Sequence, residues 1–301
     1  MQTRAFIENK VFNPDELLFS KSLKHRNQWF WANIRGSDDN GWAALALLYA
    51  IDIDPAFKDS YLNFTGQYYE LGIRQIIEKI NEVYRDKNGN IFQLEDRNPY
   101  YSMISTTLNI ILNQRMYLLT NEAKFLNQSL FDYKFITSRP QLLNDEGLLI
   151  DGFNQDLSYF DETVYTYNQG ALIIVYGHFY QIYKDLKYLK LGIRHAKNMI
   201  TYRSNKNLIV IDGDKERQYF MGIYFRFLSE FAEIAYPVYP QEIQGIRDYI
   251  LINADYLWNH LRSEDNGFPD DYINPKINNA LSQNMGIELL TAALAVVDLT
   301  Y

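Results

Sequence analysis

Cysteine is absent from all 301 residues. Its absence excludes disulfides, cysteine-based zinc sites and a thiol nucleophile, and leaves the compartment open, since a secreted protein need not carry disulfides. Proline is scarce, 8 in the whole chain, and few prolines favour long helices. Positive charge is in deficit: 29 Lys and Arg stand against 37 Asp and Glu, a formal net charge of −8. Such a balance is poor for general binding of nucleic acid or of an anionic membrane. Long apolar runs are also missing. A membrane helix needs roughly 18 residues, and the longest candidate, GIELLTAALAVVDLTY near the C-terminus, is shorter and holds Glu288 and Asp298. The opening MQTRAFIENKVFNPDELLFSKS has no apolar stretch of signal-peptide length. The chain as written is therefore expected to be cytoplasmic, or secreted if an upstream leader has been trimmed.

Aromatic residues are abundant, with 25 Tyr and 18 Phe making up most of a 16% share. An apolar ring with a polar tip suits the C–H face and hydroxyls of a sugar; the plainer use of Tyr is core filling with its hydroxyl at the rim. The dominant periodicity is helical. Gly41–Ile51 reads as a buried helix, and Ser60–Asp86 as an amphipathic one with Ile73, Ile76, Ile77 and Ile80 on one face. KNGNIF, after it, is a turn. The same rhythm predicts helices at 100–120, 122–138, 168–183, 186–203, 218–235, 241–262 and 281–299. LLIDGF and LIVIDGD are short apolar runs ending in Asp-Gly and read as hairpin pieces or loop edges.

The helices pair. First members start near Asp38, Tyr100, Asn168, Phe220 and Ser282, a period of about 50 to 70 residues that fits a repeated helical hairpin. No linker interrupts them, so residues 1–301 read as one continuous all-α toroid. Its inner helices run parallel, and their N-termini should converge on one face. Five starts are visible. A ring of six then lacks its first inner helix, and residues 1–37 hold only an outer partner and a loop. Leu45, Leu48, Leu289 and Leu290 would lose part of their cover at that notch.

The loops before the first members carry the richest polar motifs. GSDDNGW, Gly36–Trp42, sets Asp38 and Asp39 side by side at a predicted helix N-terminus. Ser37 or Asp38 can serve there as an N-cap, and acidic residues suit a first turn. A glycosidase needs the same residue type in a pair, one carboxylate ionised and the other protonated, with pKa values pushed apart and the helix dipole lowering one of them. Asn40 and Trp42 are candidate substrate contacts in the same segment. In DETVYTYNQG, Asn168 and Gln169 can make paired hydrogen bonds with vicinal hydroxyls, with Tyr165 and Tyr167 beside them, while Gly170 lets the helix start pack closely; capping and core tyrosines are the alternative. DGFNQD supplies Asp151. In QYFMGIYFRF, Gly222 allows close packing and Arg226 can orient an acid or lie on the surface. His25, His178, His195 and His260 show no paired metal spacing. No GxGxxG, Walker loop or GxSxG elbow occurs, and the Asp212–Asp214 turn is too short for a calcium loop.

Taken in order, these motifs resemble glycoside hydrolase family 76, the α-1,6-mannanases. DDNGWAALALLYAIDI is similar to the family's Asp-Asp segment, and the stretch from Tyr101 through FLNQSLFDYKFI to its next hairpin. LLNDEGLLIDGFNQD with YTYNQGALI is the most specific piece; QYFMGIYFRFL, YILINADYLWNHLRSEDNGF and SQNMGIELLTAALA follow. The resemblance implies an (α/α)6 toroid, endo-acting and retaining hydrolysis of α-1,6-mannosidic bonds inside a mannan chain, Asp38 as nucleophile, Asp39 as acid/base, and neither metal nor organic cofactor. A non-catalytic α-mannoside-binding relative and a transglycosylase are the alternatives. Two departures stand out. The family's opening Trp-rich helix is expected before FIENKVF, where Met1 nearly begins, and Met221 stands where the family commonly has Lys.

Overall fold

The computed structural model describes residues 36–53, 66–93, 100–209, 220–269 and 280–299. These fall in two compact units, Met1–Tyr100 and Tyr101–Tyr301. In the first unit, α1 (Ser37–Ile53) and α2 (Gly66–Val83) pack as a hairpin. Ile73, Ile76, Ile77 and Ile80 of α2 are buried, as their three- and four-residue spacing requires of one apolar face. After α2 the chain turns tightly. Asp86 accepts hydrogen bonds from the N–H groups of Asn88 and Asn90, and Gly89 takes the positive φ of 86° that the turn needs. The Arg85–Ile91 bridge closes this loop.

The second unit starts within the short strand β1 (Tyr100–Ser102) and continues into α3 (Met103–Thr120) and α4 (Ala123–Thr137). Strands β2 (Gly152–Asn154) and β3 (Phe160–Asp161) pair antiparallel, pairing Phe153 with Phe160. Then come α5 (Thr166–Tyr183), α6 (Leu186–Arg203) and the small hairpin β4 (Ser204–Asn205) with β5 (Leu208–Ile209). Helix α7 (Phe220–Ala235), α8 (Pro240–Tyr256, continuing as a π turn to Leu261) and α9 (Ala280–Val297) complete it.

Helices of this unit alternate in burial. In α3 and α5 nearly every residue of the first three turns is buried, polar ones included. Helix α6 instead buries one stripe, Tyr188, Leu189, Gly192, Ile193, Ala196 and Met199, the pattern of an outer helix. The contacts agree: α3 packs on α5, α5 on α7 and α7 on α9, while α4 backs α3, α6 backs α5 and α8 backs α7 and α9. Two corners repeat in detail. Asn121 (φ 58°) and Lys184 (φ 56°) both end their helix in the left-handed region, each N–H bonding the carbonyl four residues back at 2.7 Å. Within three residues the chain enters the outer helix, so each inner helix is joined to its partner by the shortest kind of corner.

Glycine permits the close approach of the inner helices. A Cβ on Gly170 would lie 2.9 Å from Tyr224 Cα, and one on Gly222 3.0 Å from Met285 Cα. Both close contacts match the packing expected of these glycines from the sequence. Leu45, Leu48 and Leu289 are buried, at 1%, 3% and 0% exposure, and Leu290 is half-buried. This corrects the expectation that these side chains would be uncovered; a leucine left in water would forfeit roughly 1.5 kcal/mol or more. The expected missing helix, and the Asp212–Asp214 turn, lie outside the described residues.

Candidate active site

The first unit holds the carboxylate pair. Asp38 and Asp39 are the second and third residues of α1. The start of this helix is held by the loop that follows α2: Ser37 N–H donates to Gln93 O at 2.8 Å, and Ser37 Oγ donates to Phe92 O at 2.8 Å. The hydroxyl proton is spent on the loop, Ser37 is already the first residue of the helix, and among the described residues no helix N–H donates to its Oγ, so the capping role the sequence allowed it is not taken up. Gln93 Nε2 donates to Asp38 Oδ2 at 3.2 Å. Gly36, at φ +97°, carries the chain into the helix. A Cβ there would sit 2.9 Å from Asp38 Oδ1 and 3.3 Å from Asp39 Oδ2, so these two oxygens are no more than about 6 Å apart, a bound that admits the spacing of a retaining carboxylate pair.

Burial pushes the Asp38 carboxyl above its ordinary range, against hydrogen bonds from Gln93 and from the N–H groups of Asp39 and Asp38 that favour the ion. Asp39 is raised by burial and then by the negative charge of Asp38. The sequence suggested that the helix dipole would lower one member. Loss of water outweighs it here, and both carboxyls move up. Asn40 is fully buried: its Nδ2 donates to Gly36 O at 2.6 Å and its Oδ1 accepts from Lys79 Nζ at 3.4 Å. It shapes the turn rather than meeting a ligand, which corrects its expected role. Trp42 is half-buried on α1.

The second polar group lies in the second unit, where the β1–β3 sheet meets the starts of α3 and α5. Asp151 is locked by its backbone, its O accepting from Met103 N–H at 2.7 Å and its N–H donating to Asp161 O at 3.0 Å. Asp151 Oδ1 accepts from Tyr167 Oη at 3.4 Å and Asn168 Nδ2 at 3.3 Å. Tyr167 is buried and stacks on Phe220 with centroids 4.0 Å apart, while half-buried Tyr165 meets both rings edge-on. Asn168 is fully buried, so it positions Asp151 and is not itself a surface for hydroxyls. Gln169 is corrected more sharply. Its Oε1 accepts from Leu149 N–H and His195 Nε2, both at 2.9 Å, and its Nε2 donates to Leu149 O at 2.8 Å and Tyr165 O at 2.9 Å. Every polar atom of this buried amide is engaged inside the protein.

Arg226 does orient an acid, as the sequence allowed. The acid is Glu288, reached by Nη1 at 2.8 Å. Burial raises the Glu288 carboxyl and the guanidinium opposes that shift. Two sets of residues escaped the sequence reading. Gln93 carries no motif and acts only because the loop returns it to α1. Ser102, Ser105 and Thr106 place buried hydroxyls at the start of α3, where they make no hydrogen bond within the described protein. Among the described residues no cluster of three His, Asp or Glu could hold a metal ion.

A repeated-hairpin all-α fold with an adjacent carboxylate pair at a helix start is the frame of a glycoside hydrolase. The glycosyl hydrolase family 76 model matches residues 9–297, through both units, and the chain belongs to that family. Solved structures share the fold, that of helical toroid enzymes. The α-1,6-mannanase of Salegentibacter sp. HEL1_6 superposes with a TM-score of 0.75 at 18% identity, covering 88% of this chain and 77% of that one. An inactive variant of that mannanase, with two consecutive aspartates changed to asparagine, was captured with α-1,6-mannotriose. A family 76 α-mannanase of Bacteroides thetaiotaomicron gives 0.67 at 17% identity, covering 87% and 69%. Dfg5 of Chaetomium thermophilum, in complex with glucosamine, gives 0.68 at 11%, covering 87% and 68%. No curated protein matches the sequence.

Proposed function

We propose that this family 76 glycoside hydrolase cleaves α-1,6-mannosidic bonds within mannan chains, with retention of configuration. The carrying observation is the pair of carboxylate oxygens gathered around Gly36. Asp38 is the nucleophile, because three hydrogen bonds favour its ionised form. Asp39 is the acid/base, because the charge of Asp38 helps it keep a proton. Asp39 protonates the departing glycosidic oxygen as Asp38 bonds to the anomeric carbon. Asp39 then takes a proton from water, whose oxygen displaces Asp38. The Salegentibacter enzyme, inactive once its consecutive aspartates are changed, supports this reading by analogy.

Digestion of linear α-1,6-mannan with analysis of product size and anomer tests it. Short oligosaccharides released first as the α-anomer are expected. Product that first appears as the β-anomer, or no turnover with binding intact, would overturn it. Transglycosylation through the same covalent intermediate is the second reading. It replaces water by a sugar hydroxyl in the second step, and its mark is product longer than the substrate.

A further inference from the structure

Helix α6 presents an unusual exposed stripe. Lys190, Arg194 and Lys197 follow at four- and three-residue spacing, so they share one face. Among the described residues none of the three makes an ion pair, whereas Lys187 one turn earlier is paired with Asp185 at 2.9 Å. Three cations outside any ion pair among the described residues, on one face, are notable in a chain of net charge −8, and they outnumber Glu242, the one carboxylate of the cavity they share. They are also set in concave ground. Lys190, Arg194, Lys197 and Asn198 line a cavity of about 330 Å³ with Tyr239 and Glu242. Arg194 and Asn198 also line an adjoining cavity of about 330 Å³, whose other walls include Asp145, Glu146, Tyr176 and His195.

The second cavity is rich in hydrogen-bond acceptors. Leu149 N–H donates to Gln169 Oε1, which fixes the orientation of that amide. The same Oε1 can only accept, so His195 carries its proton on Nε2 and Nδ1 is an acceptor. Burial holds the His195 ring down to about 4, so it stays neutral. Asn198 Nδ2 is committed to Glu146 O at 2.7 Å, which leaves its Oδ1 to accept. Acceptors suit donating hydroxyls; cations suit an anion; a Tyr ring at the edge suits a sugar face.

We propose that this face of α6 is a second binding site, for an acidic saccharide. A phosphate or carboxylate group lies among Lys190, Arg194 and Lys197, and the hydroxyls of the attached ring enter the cavity beside His195 and Asn198. The saccharide half rests on the glycan reading above; the anion half does not. The site belongs to an outer helix of the second unit, and it uses neither carboxylate of the pair on α1.

The test is calorimetric titration of the whole protein with mannose 6-phosphate, inorganic phosphate and mannose, at low and high salt. Mannose 6-phosphate is expected to bind at least about tenfold more tightly than either of the others, and more weakly as salt rises. The double variant Arg194→Gln, Lys197→Gln should lose at least about tenfold of that affinity while keeping the wild-type melting temperature and the wild-type rate on neutral α-1,6-mannan. Inorganic phosphate binding as tightly as the sugar phosphate would overturn the saccharide assignment. No binding of the sugar phosphate, or unchanged binding in the double variant, would overturn the site. The rate on neutral mannan reports on the carboxylate pair independently, so failure of one assignment is distinguishable from failure of the other.

Discussion

Gly36→Ala is the most incisive perturbation of the candidate active site. At φ +97° the position is one that a residue with a side chain rarely adopts, and forcing it costs about 1 to 3 kcal/mol. The added methyl would also lie 2.9 Å from Asp38 Oδ1 and 3.3 Å from Asp39 Oδ2. Asp38 cannot retreat without stretching its 3.2 Å hydrogen bond from Gln93. The backbone cannot retreat without disturbing Ser37 N–H on Gln93 O. Strain alone should lower the melting temperature by about 5 °C, taking roughly 2 to 4 °C per kcal/mol for a chain of this size class. Displacing either carboxyl by about 1 Å should lower kcat on α-1,6-mannan about 100-fold, with KM little changed because no sugar-binding side chain has been removed. Melting curves and initial rates on the same preparation measure both effects. A variant that melts lower yet hydrolyses mannan at the wild-type rate would show that the oxygens around Gly36 do not carry the chemistry.

Two further perturbations separate chemistry from structure. Burial raises the Asp38 carboxyl, so the stability it contributes is present below its ordinary value of 3.8 and is lost as pH rises through the raised value; Asp38→Asn should therefore melt higher than wild type at neutral pH, match it in strong acid, and have no detectable turnover. Gln169→Leu leaves Leu149 N–H, Leu149 O, Tyr165 O and His195 Nε2 without their partner, at about 1 to 3 kcal/mol for each; a large fall in melting temperature is expected, whereas a residue that only met sugar would raise KM and leave the melting temperature alone.

Local periodicity made the helices legible. The four isoleucines of α2 mark its face unaided, and the glycines of α5 and α7 could be read as contact points because only a missing Cβ explains them there. What escaped depends on residues distant in sequence. Gln169 beside Asn168 and two tyrosines reads as a ligand-binding amide, and only its bonds to Leu149, 20 residues back, and His195, 26 residues on, reveal its work as internal. Asp38 and Asp39 read as a pair with one carboxyl lowered by the helix; the burial that raises both, and the amide of Gln93 that binds Asp38 from 55 residues away, leave no local trace. Arg226 was visible as a residue seeking an acid, but Glu288 is 62 residues further along. Lys184 in the left-handed region is the least legible of all, since lysine has no preference for it and the corner imposes it.

The close contacts of the inner helices yield a prediction that compares two glycines in helix interiors. Gly245, in α8, has nothing within 4 Å of where a Cβ would stand. There Gly→Ala should stabilise by about 1 kcal/mol, the difference in helix propensity between the two residues. Gly170, in α5, gains the same propensity but meets Tyr224 Cα at 2.9 Å, Tyr224 O at 3.3 Å and Phe227 Cβ at 3.4 Å. Two of those atoms are backbone, and Tyr224 is fully buried, so α7 cannot yield by rotating a side chain. Overpacking of this kind costs about 1 to 3 kcal/mol, which cancels or exceeds the propensity gain. Gly170→Ala should therefore melt below Gly245→Ala by several degrees, and at or below wild type. Its neighbours in the same turn, Tyr167 and Asn168, hold Asp151, so parting α5 from α7 should also loosen that carboxylate. Equal melting temperatures for the two variants would mean that α5 and α7 do not approach as closely as these contacts require.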